Sequence, residues 1–183
     1  MSTSVLITGG AGFIGSALAR RLVNAGYDVA VLDILHPQVH GEHAAIDLPP
    51  SVRLFTGDVT HGPDLDAVLR LFQPAQIVHL AAETGTAQSL SEATRHGSVN
   101  VVGTTQLLDA LSRAGHVPDQ LVLASSRAVR SGDGAAVLVV TAVARGSNSR
   151  RVYAHAPSVP ARTTATKIAM GMVFDVRAAR WSS

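Results

Sequence analysis

The chain contains no cysteine. Disulfide frameworks, thiolate metal centres and cysteine nucleophiles are therefore excluded, and a reducing compartment is the expected setting. Lysine occurs once, at Lys167, so nearly all positive charge is carried by arginine. Aromatic residues make up 4% and charged residues 15% of the 183 positions, against 46% hydrophobic ones. That balance excludes a disordered chain and leaves a globular one, long enough for a sizeable core. Long apolar runs are lacking as well: the most apolar, 135–144, is too short to span a bilayer. The amino terminus shows no basic stretch followed by an apolar run and a cleavage site. A soluble, cytoplasmic protein is expected.

The small net charge of +2 hides an asymmetry. Residues 1–126 hold six Arg and eleven acids, a balance of −5, whereas 127–183 hold nine cations and two acids, a balance of +7. Such polarity can mark a nucleic-acid-binding tail. Here the arginines are scattered among Ala, Ser and Val without aromatic interleaving, so no nucleic-acid partner is expected.

What the chain does have begins at Val5-Leu6-Ile7-Thr8-Gly9-Gly10-Ala11-Gly12-Phe13-Ile14-Gly15. A short apolar run reads as a buried parallel strand, and it empties into a glycine-rich turn that opens a helix over 13–25. Glycines stand at 9, 12 and 15, and Gly10, Gly12 and Gly15 also fit G-x-G-x-x-G. Such spacing serves a tight turn, a backbone bare enough to meet a pyrophosphate, and close helix-on-strand packing. Gly9, Gly12, Phe13, Ile14 and Gly15 are thus candidate dinucleotide-binding residues, with the helix N-terminus facing the phosphates. A second strand over 29–32 leads to Asp33, an acid placed to bind the adenosine ribose hydroxyls. With no Arg between 33 and 50, that carboxylate favours NAD over NADP. A strand–turn–helix without a ligand is the alternative, and the strand, helix and acid together argue against it.

Further strands read over 52–56, 77–80 and 121–124, and helices over 63–71 and 98–113. Leu65, Val68, Leu69 and Phe72 share one helix face; Val101, Val102, Leu107, Leu108 and Leu111 recur at near-helical spacing. Strands alternating with helices predict an α/β fold with a doubly wound parallel sheet, a Rossmann fold. The loop 33–50 carries His36, His40 and His43, but no carboxylate pairs with them, so a solvated loop is expected and no metal. Beyond 126 the pattern is less legible: 135–143 suits a strand, 146–160 a loop, and 163–180 a helix.

Several of these segments together resemble one family. They are Thr8-Gly9-Gly10-Ala11-Gly12-Phe13-Ile14-Gly15, Gly57-Asp58-Val59, Val78-His79-Leu80-Ala81-Ala82, Asn100-Val101-Val102-Gly103-Thr104 and Leu123-Ala124-Ser125-Ser126-Arg127-Ala128-Val129. In this order they resemble the extended short-chain dehydrogenase/reductases, specifically the NAD-dependent epimerase/dehydratases of nucleotide-activated sugars. Glu83-Thr84-Gly85-Thr86-Ala87-Gln88-Ser89 and the Ser125-Ser126 segment are most similar to bacterial sugar 4-epimerases of the dTDP-rhamnose type. The resemblance implies NAD as cofactor, a nucleotide-sugar substrate and a homodimer. It implies that Asp58 bonds the adenine amino group and Val59 packs on the ring, a turn acid being the alternative for Asp58. Leu80, Ala81 and Ala82 line the cofactor path. Asn100 pins the main chain near the active site, and a surface helix Asn is its alternative. Ser126 bonds the reacting oxygen, or else merely ends a buried strand.

The departures begin near 130. The family's Val-Tyr-Gly turn is replaced by Val129-Arg130-Ser131. Its catalytic Tyr-x-x-x-Lys pair, in which Lys lowers the phenol pKa, is represented by Thr163 and Lys167. Tyr153 is too far from Lys167 to share its helix face. The chain thus reads as one NAD(P)-binding domain over 1–183, family-like over 1–129 and divergent over 130–183, lacking the substrate-binding subdomain. A shifted reading frame or a truncated gene would account for these departures together. Two function classes follow: an NAD-dependent nucleotide-sugar epimerase/dehydratase, or a catalytically inactive NAD-binding domain or fragment. The missing tyrosine weighs toward little turnover.

Overall fold

Val5, Leu6 and Ile7 are almost wholly buried, and they form the middle of β1 (Ser4–Thr8), the strand around which the first part of the chain is laid. The structure is a computed structural model; it describes residues 2–37, 46–84 and 91–124, and the backbone of 140–144. The chain divides into two compact units, Met1–Val117 and Pro118–Ser183.

In the first unit, β1 is followed by α1 (Phe13–Asn24), β2 (Asp28–Asp33), β3 (Arg53–Thr56), α2 (Gly62–Phe72) and β4 (Gln76–His79). Then come α3 (Ala93–Gly97), a π-helical turn (Ser98–Val102) and α4 (Gly103–Arg113). β1 pairs parallel with β2, Val5 opposite Val29 and Ile7 opposite Val31, and parallel with β4, Leu6 opposite Ile77. β2 pairs parallel with β3, Val31 opposite Leu54. The order is therefore β3-β2-β1-β4. The chain builds outward from β1 to β3, then crosses back to β4 on the other side. Such a reversal opens a crevice at the carboxyl ends of the two strands flanking it, here β1 and β4.

Burial explains the elements. Every residue of β2 beyond Asp28 is buried, as expected of a strand covered on both faces. α1 packs on β1 and β2, and α2 packs on α4. In α2 the expected face is the buried one: Leu65, Val68, Leu69 and Phe72. Pro63 sits in its first turn, where no helical N–H is lost, and Gln73 ends it in a left-handed conformation, φ 47°.

The stretch expected as one helix over 98–113 differs. A π-helical turn precedes α4, and each extra residue turns the following faces by about 100° relative to a straight helix. Of the five apolar residues at near-helical spacing, only Leu107 and Leu111 are buried; they share a face with Gly103 and Ala110. Val101, Val102 and Leu108 are exposed. The glycines at 97 and 103 and the β-branched Val99, Val101 and Val102 weaken a regular helix there.

In the second unit β5 (Gln120–Ala124) pairs with β6 (Val140–Ala144), Leu121 opposite Ala144. The pairing is antiparallel, where strand–helix alternation predicts parallel strands only. The remainder of the strand expected over 135–143 lies outside the described residues. Among the described residues no helix is long and apolar enough to cross a membrane.

Candidate dinucleotide-binding site

The turn after β1 uses its glycines for different reasons. Gly9 has φ 67°, and a Cβ there would lie 2.6 Å from the Ala81 nitrogen. A Cβ on Gly10 would meet Val31 Cγ2 at 2.6 Å, and one on Gly15 would meet Gly10 Cα at 2.5 Å. These three are glycines because the protein itself needs the space. Gly12 is different. Its φ of −68° and ψ of 175° suit any residue, so the positive φ of this turn falls on Gly9. Among the described residues, a Cβ on Gly12 would meet only Gly9 O, at an ordinary 3.4 Å. The bare backbone at 12 leaves room beside the start of α1 that no other described residue claims.

That helix start carries no side-chain cap and no acid in its first turn. Ser16 N–H is the first to close onto the Gly12 carbonyl, at 2.9 Å, so the N–H groups of Phe13, Ile14 and Gly15 have no helical acceptor. The Phe13 and Ile14 side chains point into solvent, at 94% and 67% exposure. Their backbone donors, together with the positive end of the helix dipole, are what they offer an anion.

Asp33 closes β2 and is 9% exposed. Its Oδ2 accepts the Ala11 N–H at 3.0 Å and its Oδ1 accepts the Leu35 N–H at 2.9 Å. Leu35 has φ 54°, a left-handed conformation costly for a leucine, so the chain turns sharply just past the carboxylate. Asp33 therefore fastens the glycine turn to the loop after β2.

Gly57 N–H bonds the Asp33 carbonyl at 3.0 Å, bringing the end of β3 alongside. Asp58 Oδ1 accepts the Thr60 N–H at 2.7 Å, a local turn, while its own N–H donates to Asp64 Oδ2 at 2.9 Å. That backbone bond, then the one from His61, holds the Asp64 carboxyl below its ordinary pKa. Val59 is buried at 5% exposure against Gly103, where a Cβ would come within 2.8 Å of its methyl. On the other side of β1, Leu80 N–H bonds the Thr8 carbonyl at 2.9 Å, so Leu80 and Ala81 run beside the glycine turn; Ala82 follows.

Asn100 acts on the main chain. Its Oδ1 accepts the Glu83 N–H at 2.8 Å and its Nδ2 donates to the Glu83 carbonyl at 3.1 Å. The loop after β4 is held by one side chain from the π-helical turn.

Two features have no counterpart in the sequence reading. The first is a buried chain of hydrogen bonds. Ala81 N–H donates to Thr8 Oγ1 at 3.4 Å, and the Thr8 hydroxyl faces His79 Nδ1 at 2.6 Å. His79 Nε2 faces Thr104 Oγ1 at 3.2 Å, whose hydroxyl donates to the Asn100 carbonyl at 2.9 Å. With each hydroxyl supplying one proton, the set closes on a neutral His79 protonated at Nε2. Burial agrees, pushing its pKa down to about 4. The signal was a lone titratable residue inside the apolar run Ile77-Val78-His79-Leu80. The second is Arg95 of α3. Its Nη2 and Nε donate to Glu83 Oε1 at 2.7 and 3.0 Å, its Nη1 to Glu92 Oε2 at 3.1 Å, and its Nη2 also to His36 Nε2 at 3.2 Å. The bond to Glu83, foremost, keeps the guanidinium charged. Nothing in the sequence pairs positions 36 and 95.

The described residues bring Gly9, Gly12, Phe13, Ile14, Gly15, Asp33, Asp58, Val59, Leu80, Ala81, Ala82 and Asn100 to the carboxyl-end side of one parallel sheet. Ser126, Thr163 and Lys167 lie outside the described residues, as do His40 and His43. Among the described residues no cluster of three His, Asp or Glu side chains could hold a metal ion.

Comparison with known proteins points the same way. The model of the NAD dependent epimerase/dehydratase family matches residues 5–156. A dTDP-L-rhamnose 4-epimerase of Burkholderia thailandensis is 50% identical over 132 residues, covering 72% of this chain and 36% of its own length. A mouse (Mus musculus) UDP-glucose 4-epimerase is 33% identical over 133 residues, covering 68% of this chain and 38% of its own. Among solved structures, the Thermus thermophilus UDP-glucose 4-epimerase in complex with NAD superposes with a TM-score of 0.62 at 32% identity, over 73% of this chain and 42% of that one. The chain spans well under half the length of these relatives. With the parallel sheet, the glycine turn and the family model all agreeing over most of its length, the chain belongs to the NAD dependent epimerase/dehydratase family.

Proposed function

We propose that this chain binds NAD at the carboxyl ends of β1, β2 and β4 and serves a nucleotide-sugar 4-epimerase reaction. The observation that carries the reading is Gly12. It is the one glycine of the turn whose missing side chain leaves space that no other described residue fills, and that space faces the N–H groups of a helix start that have no helical acceptor. A pyrophosphate fits that chemistry. Phe13, Ile14 and Gly15 would hold it through their N–H groups. Asp33 would take the ribose hydroxyls, Asp58 the adenine amino group with Oδ2, and Val59 the ring edge. Leu80, Ala81 and Ala82 form the opposite wall. When bound, NAD would supply the reversible acceptance of hydride from a sugar carbon.

The protein's own part is to orient the reactants and to manage the hydroxyl proton. Asn100 fixes the loop at Glu83; Ser126 would hold the reacting oxygen, and Lys167 with Thr163 would stand where the family has its base pair. The 50% identity to a dTDP-L-rhamnose 4-epimerase supports a dTDP-sugar as substrate. A homodimer is consistent with the exposed Val101 and Val102. Titration calorimetry of NAD⁺ into the purified chain tests the binding half: one site per chain is expected, and no heat of binding at millimolar NAD⁺ refutes it. A panel of dTDP- and UDP-sugars assayed with NAD⁺ tests the substrate half, turnover of UDP-sugars alone overturning the dTDP assignment.

A further inference from the structure

The Arg95 cluster stands at a particular place in the sheet. His36 follows the last residue of β2 by three positions, and Glu83 follows the last residue of β4 by four. β1 lies between those two strands. At ordinary strand spacing β2 and β4 are about 10 Å apart, with the glycine turn emerging between them. A side chain that bonds Glu83 on one side and His36 on the other therefore links the loops that follow the two strands flanking β1. Among the described residues, four of the five guanidinium donors are engaged, three bonds going to carboxylates and one to the His36 ring. The carboxylate bonds hold the cation in place; the His36 bond is the weakest and the one an anion would displace. Glu83 is itself anchored through its backbone by Asn100, so the cation stands on a fixed support.

We propose that Arg95 is a phosphate-binding residue of the dinucleotide site, exchanging His36 for a pyrophosphate oxygen and supplying the cation that faces it. The inference rests on the coenzyme site proposed above and adds to it a residue from outside the glycine turn. An arginine facing a pyrophosphate forms charge-assisted bonds, whereas adenosine carries no negative charge for it to pair with. The two ligands thus separate a phosphate contact from a mere clasp between loops.

The test is titration of NAD⁺, ADP and adenosine into the unaltered chain, Arg95→Gln and Arg95→Lys, with thermal unfolding of each. Arg95→Gln is expected to weaken NAD⁺ and ADP by about 10- to 100-fold, the loss for a hydrogen bond between charged groups, and adenosine by less than about twofold. Arg95→Lys should retain part of the affinity, and NAD⁺ binding to Arg95→Gln should depend less on salt than in the parent. Equal weakening of all three ligands would make Arg95 a structural clasp and overturn the proposal, as would unchanged NAD⁺ and ADP binding. If the unaltered chain binds adenosine and ADP equally, the phosphate site at the helix start is itself wrong, a different failure from loss confined to the variants.

Discussion

Gly12→Val should separate the coenzyme site from the fold. At φ −68° and ψ 175° the backbone accepts a β-branched residue, and among the described residues the new Cβ would meet only Gly9 O at 3.4 Å. The cost to stability is that of a poor helix cap, about 0.5–1.5 kcal/mol, equivalent to a few degrees of melting temperature for a chain of this size. Binding should suffer far more. The two valine methyls would fill the space beside the N–H groups of Phe13 to Gly15. Losing two charge-assisted hydrogen bonds at about 1.5–3 kcal/mol each costs about 3–6 kcal/mol, at least a hundredfold in Kd. Gly9→Ala makes the opposite case: φ 67° and a Cβ 2.6 Å from the Ala81 nitrogen should destabilise the fold by at least about 2 kcal/mol. The assay pairs calorimetric titration of NAD⁺ with urea unfolding. A Gly12→Val protein that binds NAD⁺ within threefold of the parent would refute the reasoning, because the space would then be empty in the complex too.

Asp33→Ala should lower NAD⁺ affinity by about 1–3 kcal/mol and also stability, since the buried Ala11 N–H loses its acceptor; unchanged urea unfolding would refute its role in the turn. His79 titrates near 6.5 when unfolded and about 4 when folded, so the unfolded chain binds more protons in that window. Stability should therefore fall by on the order of 3 kcal/mol as pH drops from about 6.5 to 4, and His79→Leu should flatten that part of the unfolding-versus-pH curve. Thr163→Tyr should raise turnover of a dTDP-sugar, because a phenol starting near pKa 10 beside Lys167 is a workable base and a threonine hydroxyl is not; a steady-state assay showing no gain would place 163 outside the active site.

The turn from β1 into α1 was legible because its signals are local: three buried residues, then glycines at fixed spacing, then a helix face. The face of α2 was legible for the same reason. Asp33 was found by its distance from the glycines, but its bonds to Ala11 and Leu35 were not, since 22 residues separate it from Ala11 and only the sheet register brings them together. The phase of α4 was misread because a period of 3.6 assumes an uninterrupted helix, and the π-helical turn breaks it. The bond between Arg95 and His36 spans 59 residues and follows from β1 lying between β2 and β4, a fact of topology and not of pattern. His79 lay in plain view inside an apolar strand, yet its partners Thr8 and Thr104 come from two other elements.

A crystal structure of the chain grown with NAD⁺ tests the central claim most directly. The account predicts pyrophosphate density within hydrogen-bonding distance of the N–H groups at the start of α1, over Gly12, with the adenosine ribose at Asp33. A dinucleotide bound elsewhere, or a helix start without pyrophosphate density at saturating NAD⁺, would contradict it.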